Sequence, residues 1–174
     1  MTPHEGRALL STMIQGSTVD LFQTWGIAVA PVQPTRRDNE QILPRALMAG
    51  IHFNSPSMQG SLGLLVPKDV FELVKQDASR PFAGLDWVQE NVNQLLGRLK
   101  SRLLSFQVTL NMGLPHMLTD QALQTMVTKG VLASYRFRTL RGEVGVTMTG
   151  RVEYARLEYR GVPPAVTEGD VIVF

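Results

Sequence analysis

Apolar side chains along this chain follow two spacings, one of three or four residues and one of two, and the changeovers between them outline the elements. Residues 8–25 carry Leu10, Met13, Ile14, Leu21 and Phe22 at helical intervals, with Gly26 placed to end the helix. Residues 27–32 read as a short strand closed by Pro31 and Pro34, and the polar stretch 35–41 reads as a loop. Residues 51–53 and 61–66 predict two strands around a turn between Pro56 and Gly60. Pro67 then opens a short helix to Gln76, with Val70, Phe71 and Val74 apolar, before a connector at 80–84. The second half predicts a long helix over 85–105, a strand over 106–112, a break at Gly113-Leu114-Pro115 and a short helix over 119–129. Residues 131–139, 143–149 and 151–159 alternate as strands, with turns at Arg141-Gly142 and at Gly150, and 170–174 predicts one more strand.

Each half runs helix, strand, then further strands with a short helix among them. That order suggests a structural duplication, although the halves share no readable sequence repeat. Alternating strands under a few long helices imply an α/β domain of the α+β type, with a mainly antiparallel sheet. A chain of 174 residues fits one domain, spanning 1–174 with its core over 8–160 and an extension over 161–174.

Composition narrows the function. Hydrophobic residues at 44% and charged residues at 18% suit a globular protein with material for a core. The 17 basic and 15 acidic residues are scattered without blocks of one sign, so neither nucleic acid nor an anionic membrane surface is an expected partner. The absence of cysteine removes disulfides, thiolate metal sites and a cysteine nucleophile, and fits a reducing cytoplasm. The N-terminus shows no signal-peptide pattern, and no apolar run approaches the roughly 20 residues of a membrane helix. His4, His52 and His116 are too scattered for a metal motif, so no metal or organic cofactor is expected; His116 reads as a surface or interface residue.

The long helix holds the candidate chemistry. Val88, Val92, Leu95, Leu96, Leu99 and Leu103 form one stripe roughly 100° wide, to be turned toward the sheet. Asp86, Glu90, Asn93 and Gly97 follow one another at steps of four, three and four on the opposite side, a row about 16 Å long. Taken singly, Asp86 near a helix start serves as a cap or dipole partner, and Glu90 is an ordinary solvated carboxylate. Asn93 is a mediocre helix former in mid-helix without a capping role. Gly97 costs about 1 kcal/mol relative to Ala inside a helix, and its bare backbone admits a second surface.

Together the Asp-x-x-x-Glu-x-x-Asn spacing, the stretch from Asn93 to Lys100 and the downstream Pro115 resemble the CheC/CheX phosphatases of bacterial chemotaxis. The hairpin over 51–66, with Gly60 and Gly63, is similar to their first-half strands, so the resemblance covers about residues 8–150. It implies a substrate: the phospho-aspartate of a CheY-like receiver domain. In that family the Glu engages the regulator's lysine and the Asn orients the attacking water. Carried over, those roles fall on Glu90 and Asn93 as the catalytic pair, with Asp86 and Gly97 at the partner interface and Mg2+ on the receiver. A carboxamide joins a donor and an acceptor, which suits it to holding a water in line.

CheC-type members repeat the pair in both halves, but the first helix here reads Gln15-Gly16-Ser17-Thr18-Val19-Asp20, so a single copy fits CheX-like members better. The same fold group includes flagellar switch proteins, where the domain is a scaffold. A non-catalytic module of FliM type that docks a receiver or dimerises is therefore the alternative. A homodimer is expected from apolar edges over 152–159 and 171–174, which would otherwise lie unpaired.

Overall fold

The computed structural model describes residues 2–32, 46–75, 84–128 and 130–161. The loop at 35–41, most of the connector at 80–84 and the strand at 170–174 lie outside them.

Helix α1 (Pro3–Gln23) begins five residues earlier than its apolar spacing predicts, because a capping box closes its first turn. The Glu5 N–H donates to the Thr2 hydroxyl at 3.3 Å, and the Thr2 N–H donates to the Glu5 carboxylate at 2.8 Å. Gly26, at φ +70°, turns the chain out of the helix as expected. The chain continues through β1 (Ala30–Val32), β2 (Ala46–Asn54), β3 (Met58–Pro67), α2 (Lys68–Lys75) and α3 (Gly84–Leu103). It then runs through β4 (Asn111–Met112), β5 (His116–Met117), α4 (Asp120–Thr128), β6 (Val131–Thr139) and β7 (Gly142–Val152).

The strands make one antiparallel sheet of seven, in the order β1-β6-β7-β3-β2-β4, with β5 also on β2. This order reads alike from both ends. The short first strand of each half, β1 or β4, lies against the first long strand of the other half, β6 or β2, and β3 meets β7 in the middle. The two halves are thus interleaved, and neither closes a sheet alone.

Along β2 and β3 the alternation is strict. Leu47, Ala49, Ile51 and Phe53, with Leu62, Leu64 and Val66, face the main core under α1, α2 and α3. Met48 and Leu65 face the opposite side, where Leu118 and Leu123 close a smaller cluster at α4. At the centre Gly60 opposes Gly150, which has φ +125°. A Cβ on Gly60 would fall on the Thr149 carbonyl oxygen, and one on Gly150 on that of Gln59.

Two expected strands differ. Residues 106–112 are extended only at their end. A 3-10 turn (Leu104–Phe106) follows α3, Gln107 is left-handed at φ 55°, and β4 reaches β2 only at Phe53 and Asn54. Val108 and Leu110 alternate because they plug the core, not because they pair. Likewise 151–159 is no separate strand. Gly150 does not turn the chain; β7 runs through it to Val152, and a 3-10 turn (Tyr154–Arg156) follows. The pairing ends there because Met58, opposite Val152, begins β3. The edge expected for a homodimer at 152–159 therefore belongs to a central strand and a turn.

Candidate functional site

All six stripe residues of α3 are buried, and Trp87 and Asn91 join them. On a helical projection these two widen the buried arc from about 100° to about 180°. The added width is covered by α1. The Trp25 indole N–H donates to the Asn91 side-chain oxygen at 2.7 Å, and the Asn91 amide donates to the Trp87 carbonyl at 2.7 Å. The Trp25 and Trp87 rings meet edge to face at 5.6 Å. Three turns on, Arg102 pairs with Asp20 of α1 at 2.5 Å, over Gly16, where a Cβ would press on the guanidinium at 3.3 Å. Sheet and α1 together hold α3 as a fixed ridge.

The four predicted residues share the uncovered side of that ridge. Asp86 and Glu90 are exposed, and Asn93 and Gly97 are half-buried. Glu90 accepts a hydrogen bond from the Gln94 side chain at 2.9 Å, which aims its carboxylate along the helix. The Asn93 carboxamide forms no hydrogen bond to any of the described residues, so its donor and acceptor stay available. A Cβ on Gly97 would meet nothing within 4 Å. No packing within the described residues therefore requires glycine at that position.

Nothing equivalent stands on α1. Ser17 and Thr18 are buried, the Thr18 hydroxyl donates to the Ile14 carbonyl at 2.8 Å, and Gln15 bonds Ser11 at 2.9 Å. Pro115 lies half-buried between β4 and β5 at the sheet edge beside α3. His116 is half-buried, and its ring stacks on His52 at 4.9 Å, while His52 Nδ1 lies 2.6 Å from the Ser61 hydroxyl. His52 points away from α3, since its neighbours Ile51 and Phe53 fill the main core. Among the described residues no three His, Asp or Glu side chains gather as metal ligands, and no helix is long and apolar enough to cross a membrane.

The architecture has close counterparts among solved structures. CheX of Desulfovibrio desulfuricans superposes with a TM-score of 0.61 at 18% identity, over 82% of this chain and 99% of that one. The fold is that of CheX. CheX of Vibrio vulnificus gives a TM-score of 0.63 at 14% identity, over 82% and 99% of the two chains. CheX of Borrelia burgdorferi, solved in complex with CheY, BeF3 and Mg2+, gives 0.55 at 10% identity, over 82% and 95%. No protein-family model and no curated protein sequence matches the chain. Identities this low carry the CheX-like fold alone.

Asn91 is the functional neighbour that periodicity misses. It reads as a polar residue beside the stripe, yet it is fully buried and ties α3 to α1. No local signal marks it, because the indole N–H it accepts from belongs to Trp25, 66 residues away.

Proposed function

We propose that the chain is a phosphatase for the phospho-aspartate of a CheY-like receiver domain, acting through Asn93 with Glu90, Asp86 and Gly97 at the interface. The observation that carries this reading is Asn93 itself: a carboxamide with no hydrogen-bond partner among the described residues, on the outer side of a helix locked by packing on its other side. The packed helix fixes where this group is presented, and its donor and acceptor are both free to engage a partner.

In the proposed reaction a water attacks the phosphorus in line while the bond to the aspartyl oxygen breaks, releasing phosphate and a free carboxylate. Asn93 holds the water through its carbonyl oxygen, and its amide donates to the receiver site. It takes no proton, and none is needed from it in a loose phosphoryl-transfer transition state. Glu90 meets a cation of the receiver, and Mg2+ on the receiver neutralises the phosphoryl oxygens. The bare backbone at Gly97 lets the partner approach. The CheX of Borrelia burgdorferi, captured with CheY, supports the choice of partner. A receiver of this kind works in the cytoplasm, where we also place this chain.

The test is phosphate release from a receiver charged with acetyl phosphate and magnesium. Acceleration by the wild-type chain, lost in Asn93→Ala, is the expected result. Binding of the charged receiver without acceleration would leave the docking module as the better reading.

A further inference from the structure

Beyond the row, the C-terminal half of α3 carries three cations, Arg98, Lys100 and Arg102. Arg102 is taken by Asp20. Arg98 has no such partner: its guanidinium makes no ion pair or hydrogen bond with any described residue, and its Nε–H is shut off from water without an acceptor. Its place on the helix is informative. Arg98 follows Asn91 by seven residues and precedes Arg102 by four, on the side from which those two reach Trp25, just past the end of α1, and Asp20 on it. Its stem is thus held against the α1–α3 groove, and the residue as a whole is half-buried.

The succession Glu90, Gln94, Arg98 climbs one edge of the ridge in steps of four, and the amide of Gln94 is spent on Glu90. A carboxylate therefore lies at one end of this edge and, at the other, a guanidinium without a partner among the described residues, about 12 Å apart along the helix axis and about 80° around it toward α1, with Asn93 between them in height.

We propose that Arg98 is a specificity-determining docking residue that takes a carboxylate of the receiver partner. This rests on the docking reading of α3 given above. One charged contact at Glu90 leaves a partner free to swivel about it. A second contact of opposite sign two turns away fixes the partner's direction along the helix and holds its reacting group over Asn93. The same pair repels a partner of reversed polarity. Because packing already restrains the Arg98 stem, little rotamer freedom is lost on binding, which suits Arg better than a flexible Lys.

The experiment measures the affinity of the full chain for CheY receiver domains held charged by beryllofluoride and magnesium, at two salt concentrations. Arg98→Gln should weaken binding by about tenfold and flatten its salt dependence. Arg98→Lys should recover most of the loss, while Arg102→Gln, which breaks only the internal pair with Asp20, should leave the affinity unchanged. In the phosphatase assay Arg98→Gln should raise the half-saturating receiver concentration and leave the rate at saturation intact. Wild-type affinity in a folded Arg98→Gln variant overturns the proposal, as does a lost rate at saturation, which would put the guanidinium on the phosphoryl group instead. If the wild-type chain binds none of the receivers, the docking reading itself fails and takes this inference with it.

Discussion

Two asparagines on one helix, two residues apart, have opposite fates. Asn91 spends its amide on Trp87 and its oxygen on Trp25 inside the core, whereas Asn93 spends neither. Replacing each with Ala should separate structure from function. Asn91→Ala deletes one buried and one partly buried hydrogen bond and should cost about 2 kcal/mol of stability. Asn93→Ala should keep or raise stability, by up to about 0.7 kcal/mol from helix propensity, while lowering phosphate release by about 100-fold. Melting temperature and rate, measured on both variants, check the pair of statements. Gly97→Ala makes a third contrast. Its new methyl meets no described atom, so the helix should gain about 1 kcal/mol, and any loss of receiver affinity must come from the partner's surface. Unchanged affinity in that variant would remove Gly97 from the interface.

At the scale of elements, local chemistry sets where helices begin and packing sets where strands end. The capping box starts α1 at Pro3, and its carboxylate titrates low: the Thr2 backbone N–H, then the Thr2 hydroxyl, hold the Glu5 pKa below its ordinary value. A depressed carboxyl pKa contributes stability that is present above the ordinary value and lost as pH falls through the lowered one. Below about pH 4 the first turn of α1 should therefore loosen. Amide protection at Gly6, whose N–H donates to the Thr2 carbonyl at 3.0 Å, reads this directly, and in Glu5→Gln that acid-dependent step should vanish. The long helix was legible for a different reason. Its six apolar positions repeat over about four turns, so the stripe and the opposite row follow from 3.6 residues per turn alone. By contrast β5 has two residues and no periodicity to detect.

For the whole molecule, the palindromic strand order leaves short outer strands, β1 at one edge and β4 with β5 at the other. β1 pairs only with Arg136, Phe137 and Arg138, so β6 from Val131 to Tyr135 has no neighbour on its outer side among the described residues. We propose that the homodimer expected from the sequence pairs along that stretch, in place of the 152–159 edge. Sedimentation at micromolar concentration should give the mass of a dimer, and a charge at Val131, which is 40% exposed, should shift it toward the monomer. A monomeric mass for the wild-type chain would remove the dimer from the proposal.

The sequence alone determined the helices with sustained apolar repeats, the alternating strands, the α+β class and the Asp86, Glu90, Asn93, Gly97 row. Each of these is a matter of spacing along one element, where side-chain direction follows from backbone geometry. Tertiary structure decided the rest. Whether Val108 and Leu110 pair or plug, whether Gly150 turns or continues, and whether Asn91 is buried all depend on what lies across from them. Those neighbours are distant in sequence, 66 residues away in the case of Trp25 and Asn91. Gly97 and Arg98 belong to both accounts: their positions are written in the helix repeat, and only the packing around them shows which contacts they lack.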